Sequence, residues 1–106
     1  MPRSYLLTPR AIDDLDEIWN YIAQDSPAAA DRVENAIFEA FSSLARHPML
    51  GSKRSEISHF PVRFWVVSRY PSYVVVYRPE EKPLRIIAVL HAKRNLKTML
   101  AKRGIS

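Results

Sequence analysis

The sequence predicts an α+β fold in which an N-terminal antiparallel helical hairpin packs on a three- to four-stranded antiparallel sheet. Two observations lead to this class. Apolar residues recur with a helical period of about 3.6 residues from Pro9 to His47, and the period changes to two, as in strands, from Val62 onward. Because 106 residues suffice for one domain and not for two, we expect a single domain over residues 1–106.

The first half predicts a short strand and two helices. The apolar run at 5–7 is typical of a strand. Thr8-Pro9 and Ser26-Pro27 each combine an N-cap residue with a proline at the first helical position. We therefore expect one helix from 9 to about 24 and another from 27 to about 47, where Pro48 disfavours further helix. Helices joined by so few residues must fold back as an antiparallel pair.

The helical periodicity also assigns side chains to faces. On the first helix, the acidic residues fall opposite the apolar side and are expected in solvent: Asp13, Asp14, Asp16 and Glu17. Tyr21 and Phe38 fall outside the apolar faces of their helices. Each is either a lone surface aromatic residue or part of a partner surface.

The second half predicts three strands rich in β-branched and aromatic residues, at 62–67, 70–78 and 84–90. The loops between them are short enough for hairpins, so the strands should form a consecutive antiparallel meander. Residues 5–7 are the candidate for a fourth strand and residues 56–57 for a short edge. Residues 95–103 predict a short basic helix.

Strict alternation along these strands leaves neither face of the sheet polar. The helical hairpin covers one face, and the C-terminal segment is long enough to cover only a corner of the other. We therefore expect the second face to expose apolar groups among Arg63, Arg85 and Arg94, and the isolated chain to self-associate or to need an acidic partner. A homodimer that buries the same face is the alternative.

Charge is divided between the two halves of the chain. Residues 1–50 contain four basic and eight acidic residues, a net charge of −4, and residues 51–106 contain twelve basic and three acidic residues, a net charge of +9. This asymmetry favours a basic face that meets nucleic acid or an acidic protein segment over a merely solvated surface.

Several kinds of chemistry are excluded or disfavoured. The chain has no cysteine, so it has no disulfide and no thiolate metal site. Its three histidines are not at metal-ligand spacing, and two glycines cannot form a glycine-rich phosphate loop. No apolar run approaches the ~20 residues of a membrane span. We expect a cytoplasmic protein without metal, cofactor or membrane association.

One group of residues could still carry out catalysis or binding. His91 and Arg94 follow the last strand, and basic and aromatic residues lie on or beside the neighbouring strands: Arg63, Trp65, Arg69, Tyr73, Tyr77, Arg78 and Arg85. Such a set could cleave RNA without a metal, with a general acid or base and guanidinium groups that stabilise the phosphorane. It could equally bind bases and phosphates, or only form salt links at the surface of the sheet.

The order of motifs resembles the ParE/RelE superfamily of toxins from bacterial type II toxin–antitoxin modules, which includes plasmid stabilisation proteins. The motifs are LDEIWNYI at 15–22, DSPAAA at 25–30, LARHPMLG at 44–51, YVVVYR at 73–78 and VLHAKR at 89–94. The resemblance covers nearly the whole chain and is closest to the ParE branch.

The resemblance implies a toxin held in a hetero-oligomer with a cognate antitoxin whose C-terminal segment wraps around it. The ParE branch implies inhibition of DNA gyrase, and so of replication, with no catalytic residue in the toxin. The RelE branch implies the alternative, an endoribonuclease that cleaves mRNA in the ribosome without a metal.

Individual residues help to decide between a gyrase inhibitor and a ribonuclease. In the nuclease alternative, His91, Arg63 and Arg78 match the basic and histidine positions loosely. The tyrosine that nucleases of this type carry near the C-terminus is missing, because no tyrosine follows Tyr77. The resemblance therefore favours the gyrase inhibitor. The expected contacts with antitoxin or target are Arg63, Trp65, Arg69, Tyr73, Arg78, Arg85, His91 and Arg94.

Overall fold

A computed structural model of the chain describes residues 5–105. Its elements, in chain order, are β1 (Tyr5–Leu7), α1 (Pro9–Ala23), α2 (Pro27–Arg46), β2 (Arg63–Val66), β3 (Tyr73–Arg78), β4 (Leu84–His91) and α3 (Leu96–Lys102). The predicted α+β class is confirmed. β3 begins at Tyr73 and not at 70, because the chain turns before it: the N–H of Tyr73 donates to the carbonyl of Tyr70 at 3.0 Å.

The helical hairpin forms as the capping residues predict. Thr8 Oγ1 accepts a hydrogen bond from the N–H of Ala11 at 3.2 Å, and Ser26 Oγ accepts one from the N–H of Ala29 at 3.1 Å. Each bond satisfies a backbone donor that the first helical turn leaves without a partner. Between the helices, Trp19 Nε1 donates to Asp31 Oδ1 at 2.9 Å. Phe38, outside the apolar face in sequence, packs edge-on against Phe41 in the core.

The sheet has the strand order β1-β4-β3-β2. The meander of β2, β3 and β4 is antiparallel as predicted, whereas β1 pairs with β4 in parallel. After β1 the chain passes through both helices, β2 and β3. Only then does β4 run beside β1, in the same direction. The short edge predicted at 56–57 is wrong, since these residues lie in a turn. Ser52 pairs with β2 instead, through two 2.9 Å bonds with Phe64.

A β-bulge in β4 changes which side chains face the helices. Val76 pairs with Ala88 and Tyr77 with Ile86, so Ile87 is an extra residue on β4. Ile87 and Ala88 consequently lie on the same face, the one away from the helices, while Ile86 and Val89 pack under the helices. Strict alternation, on which the sequence prediction relied, fails at this point.

The second face of the sheet is closed by the chain itself, so the predicted open face is wrong. Ile57 and Val62 from the connector before β2, and Leu100 from α3, are buried against the strand residues of this face. Arg63 lies on the helix-side face with Trp65, while Arg85 lies on the second face beside Leu6 of β1, which is 44% exposed. A partner is therefore not required to cover this surface.

One opening remains at the β2 edge of that face. A groove of about 420 Å³ lies between Val66, Pro71 and Leu96, with Arg54 at its border. Val66 of β2 is 48% exposed and Leu6 of β1 is 44% exposed, so the connector and α3 leave both of these strand residues uncovered. The uncovered parts of the second face thus lie at its two edge strands.

The loop after α2 is fixed to the sheet by Tyr77. This buried side chain accepts a hydrogen bond from the N–H of Gly51 at 2.8 Å and donates one to the carbonyl of Pro48 at 2.7 Å. Arg63 Nη1 donates to the carbonyl of Gly51 at 2.6 Å. A Cβ at Gly51 would lie 2.6 Å from the Tyr77 hydroxyl oxygen, so the close approach requires glycine.

We expect Tyr77→Phe to lower the free energy of unfolding by about 1–3 kcal/mol at neutral pH, because the N–H of Gly51 loses its buried acceptor. Burial raises the pKa of Tyr77 above its ordinary value of 10.0. The contribution of the neutral phenol is then complete below pH 10 and is lost as the pH rises through the folded-state pKa. Denaturant unfolding between neutral and alkaline pH measures both effects, with Tyr70→Phe as the control. An equal loss in both variants at neutral pH would contradict the role of Tyr77.

Membrane insertion through a helix finds no support in residues 5–105. None of the helices in this range has the length and apolar character that a membrane crossing requires.

Candidate functional site

A cleft of about 520 Å³ opens at the end of the sheet where β3 begins and β4 ends. α1 forms one wall, and α3 with the residues after β4 forms the other. Side chains from all these elements line it: Glu17, Tyr21, Tyr73, His91, Arg94 and Met99. Clefts with apolar walls and a few convergent polar groups are the usual form of ligand sites, and this one contains three residues that the sequence predicts as contacts.

Tyr73 and His91 meet across the cleft because they are paired in the β3–β4 register. Their ring centroids lie 5.6 Å apart, edge to face. His91 Nδ1 accepts a hydrogen bond from the N–H of Lys93 at 3.2 Å, an arrangement that assigns the remaining proton of the neutral ring to Nε2. Burial raises the pKa of Tyr73, and Tyr21 raises it further, so its phenol is neutral at physiological pH.

The cleft is closed at its base by a buried ion pair between α1 and the end of α3. Arg103 Nη2 donates to Asp14 Oδ1 at 2.6 Å, and Arg103 Nη1 donates to Asp14 Oδ2 at 2.8 Å. The two side chains are only 7% and 6% exposed. The hydrogen bonds to Asp14 raise the pKa of Arg103, so its charge is retained despite burial. The prediction that Asp14 lies on the solvent side of α1 is wrong.

Asp14 also has a role in the sheet. Its Oδ2 accepts a hydrogen bond from the backbone N–H of Val89 at 3.0 Å. β1 ends at Leu7, opposite Ile86, so Val89 lies beyond the end of its neighbouring strand. The carboxylate takes the place of the strand acceptor at this edge, which couples α1, β4 and α3.

Three predicted site residues lie at the opposite end of the sheet. Arg63, Arg78 and Arg85 are near the end of β3, and Arg78 is five residue steps after Tyr73 along the strand, a distance of about 17 Å. Arg78 and Arg85 share Glu81 at 3.5 and 3.4 Å, while Arg63 binds the carbonyl of Gly51. The structure therefore does not bring Arg63 and Arg78 together with His91.

The remaining predicted residues are divided between core and surface. Trp65 is half-buried and packs against the helix-side core. Arg69 is exposed in the β2–β3 turn, at the same end of the sheet as His91. Sequence reasoning missed Glu17 as a cleft residue, because it was assigned only to a solvated acidic face. Tyr21 had a signal in its position outside the apolar face of α1, and it is 73% exposed at the cleft.

Within residues 5–105, no three or more His, Asp or Glu side chains lie together in a way that could hold a metal ion.

The comparisons with known proteins agree with this fold. The family model for the ParE toxin of the type II toxin–antitoxin system parDE matches residues 5–96. Toxin RelE2 of Caulobacter vibrioides is 36% identical over 87 residues, which cover 82% of this chain and 92% of that protein. The Y4kP protein of Sinorhizobium fredii is 38% identical over 85 residues, covering 80% and 83% respectively.

A solved structure shows the same fold. The chain resembles the chromosomal ParDE toxin–antitoxin system from P. aeruginosa with a TM-score of 0.69 and 23% identity, over 84% of this chain and 95% of that one. With the extent of the family match and of the curated relatives, the conclusion is plain: this chain belongs to the family of ParE toxins of type II toxin–antitoxin systems.

Proposed function

We propose that this toxin inhibits DNA gyrase, and so replication, by binding rather than by catalysis. The observation that supports this most is the separation of His91 from Arg63 and Arg78. Metal-free RNA cleavage needs a general acid or base and a phosphorane-stabilising cation at one reacting phosphate. Here the two arginines lie at the other end of β3 and are already bound to Glu81 and to the carbonyl of Gly51.

The partner in this proposal is a cognate antitoxin that stores the toxin in an inactive hetero-oligomer. Family membership supports such a partner. An antitoxin is not needed to cover a bare sheet face, because the connector and α3 cover most of the second face. The cleft at Tyr73 and His91 and the groove at Val66 are the concave surfaces that remain for contacts with antitoxin or gyrase.

The test is a gyrase reaction with purified components. Supercoiled plasmid, gyrase and ATP are incubated with the full-length toxin, and the products are separated on a gel after denaturation of gyrase. We expect cleaved plasmid to accumulate, and the addition of antitoxin to prevent it. Normal supercoiling at toxin concentrations above that of gyrase would rule out the proposed target.

A ribosome-dependent ribonuclease remains the second candidate, because His91 lines the cleft with Tyr73 and Arg94. A relative named Toxin RelE2 is consistent with this candidate. His91 would then serve as general acid or base, and Arg94, which lines the same cleft, would supply the cation.

His91→Ala separates the two candidates. In the ribonuclease candidate, loss of a general acid or base lowers mRNA cleavage by about 10²–10⁴-fold. In the gyrase proposal, His91→Ala leaves plasmid cleavage by gyrase within about tenfold, as expected for one binding contact of about 1 kcal/mol. Primer extension on mRNA from translating extracts and the gyrase gel measure the two activities, and Tyr73→Phe is the control for altered packing in the cleft.

A further inference from the structure

Two groups stand out among the cations of the basic half, while Lys53, Lys82 and Lys102 are exposed outside both groups and Arg63 binds the carbonyl of Gly51. In the first group, each guanidinium is held by a partner within the chain. Arg103 is paired with Asp14, Arg78 and Arg85 with Glu81, and Arg54 with Glu56. These charges are at least partly neutralised in the folded toxin, and they are poor candidates for contacts with another molecule.

The second group lies at the cleft end of the sheet. Arg69 in the β2–β3 turn and three residues after β4, namely Lys93, Arg94 and Lys97, are exposed, and none forms an ion pair within residues 5–105. The turn and this segment are joined where the N–H of Ala92 donates to the carbonyl of Ser72 at 2.7 Å. We call these four residues the basic rim.

The surroundings of the basic rim are poor in acidic groups. Residues 82–106 contain seven basic residues and no acidic residue. The acidic residues that line the cleft with Arg94 are Glu17 and Asp14 of α1, and Asp14 is already paired with Arg103. Lys93 and Lys97 are exposed and line neither the cleft nor the groove at Val66.

We propose that the basic rim binds the phosphate backbone of the DNA on which gyrase acts, so that the toxin contacts DNA as well as the enzyme. This inference rests on the proposed function. Exposed lysines and arginines without an ion-pair partner match a phosphodiester backbone, which is bound mainly through charge. An acidic peptide usually also needs apolar anchors, and Lys93 and Lys97 line neither of the two openings that could supply them.

The experiment measures binding of the full-length toxin to a fluorescein-labelled DNA duplex of arbitrary sequence, without gyrase, over a range of salt concentrations. If all four cations meet phosphates, the slope of log K against log salt is about −3.6. The double variant Lys93→Ala/Lys97→Ala is expected to bring the slope closer to zero by about 1.8 and to weaken binding at low salt by at least about tenfold.

The matched control is Arg10→Ala/Arg32→Ala, which removes the same charge from exposed positions on α1 and α2. We expect this variant to keep the wild-type slope. Equal losses in the two double variants would overturn the proposal, because net charge alone would then explain binding. Absence of salt-dependent DNA binding in the wild type, tighter binding to an RNA duplex, or a loss confined to antitoxin binding would also overturn it.

The outcome can be distinguished from failure of the proposed function. A toxin that binds DNA through the rim without causing plasmid cleavage by gyrase contradicts only the proposed target. A toxin that causes cleavage while Lys93→Ala/Lys97→Ala binds DNA as well as the wild type contradicts only the rim. Circular dichroism of both double variants verifies that they are folded.

Discussion

Arg103→Ala is expected to lower the free energy of unfolding by about 3–5 kcal/mol, because it leaves the carboxylate of Asp14 buried without its cation. Domains of this size have a total stability of about 5–15 kcal/mol, so the variant should be unfolded in part at physiological temperature. The contact also holds the end of α3 against α1, and its loss should free the C-terminal segment. Chemical denaturation followed by circular dichroism measures the change.

The comparison variants separate the ion pair from its surroundings. Lys102→Ala removes an exposed cation from the neighbouring position and should change stability by less than about 0.5 kcal/mol. Asp14→Leu/Arg103→Met removes both charges, so it should cost less than the sum of the single replacements. A loss below about 1 kcal/mol for Arg103→Ala would equal that of a surface pair and would contradict the buried arrangement.

Leu100→Ala is expected to cost about 2–5 kcal/mol, because Leu100 is the fully buried residue through which α3 closes the second face of the sheet. α3 has only seven residues and cannot be stable as a helix without this packing. Its displacement would expose Val74, Val76 and Leu90. We therefore expect a lower unfolding midpoint together with binding of a hydrophobic dye under native conditions.

Met99→Ala is the matched control for Leu100→Ala, since Met99 is half-buried on the same helix. It should lower stability by a smaller amount and should not increase dye binding. If Leu100→Ala leaves both stability and dye binding unchanged, the connector at Ile57 and Val62 closes this face without α3.

Local sequence signals were sufficient for most of the fold. The caps at Thr8 and Ser26 and the prolines after them specify where both helices begin, because they act within one helical turn. The change of period at Val62 separates the helical layer from the sheet. The parallel pairing of β1 does not follow from such signals, because it depends on how the chain returns from the helices to the sheet.

The errors have identifiable physical causes. The position of Asp14 in the core depends on Arg103, 89 residues later, and helical periodicity contains no information about that pair. The face of Ile87 depends on a bulge that local β-propensity does not reveal. The second face of the sheet is predicted to be open because periodicity does not reveal the residues that close it. These residues, such as Ile57 and Leu100, are single apolar side chains in short segments.

The candidate site could be predicted only where strand pairing decides it. Tyr73 and His91 meet because one begins β3 and the other ends β4, which the hairpin already implies. Arg63, Arg78 and Arg85 belong to the same strands but to the opposite end, and their partners Gly51 and Glu81 come from loops. The sequence prediction grouped these three arginines with His91 and Arg94, whereas the fold places Arg78 about 17 Å along β3 from Tyr73, the pairing partner of His91.

The outer border of β4 has a consequence for self-assembly. Beyond the end of β1 at Leu7, the backbone groups of β4 on this side form hydrogen bonds with Thr8 and with α1. The N–H and the hydroxyl of Thr8 bind the carbonyls of Ile86 and Ile87 at 3.1 and 3.2 Å, and Asp14 binds the N–H of Val89. A strand from a neighbouring molecule cannot add at these three positions, so fibril growth through this edge is blocked while α1 is docked.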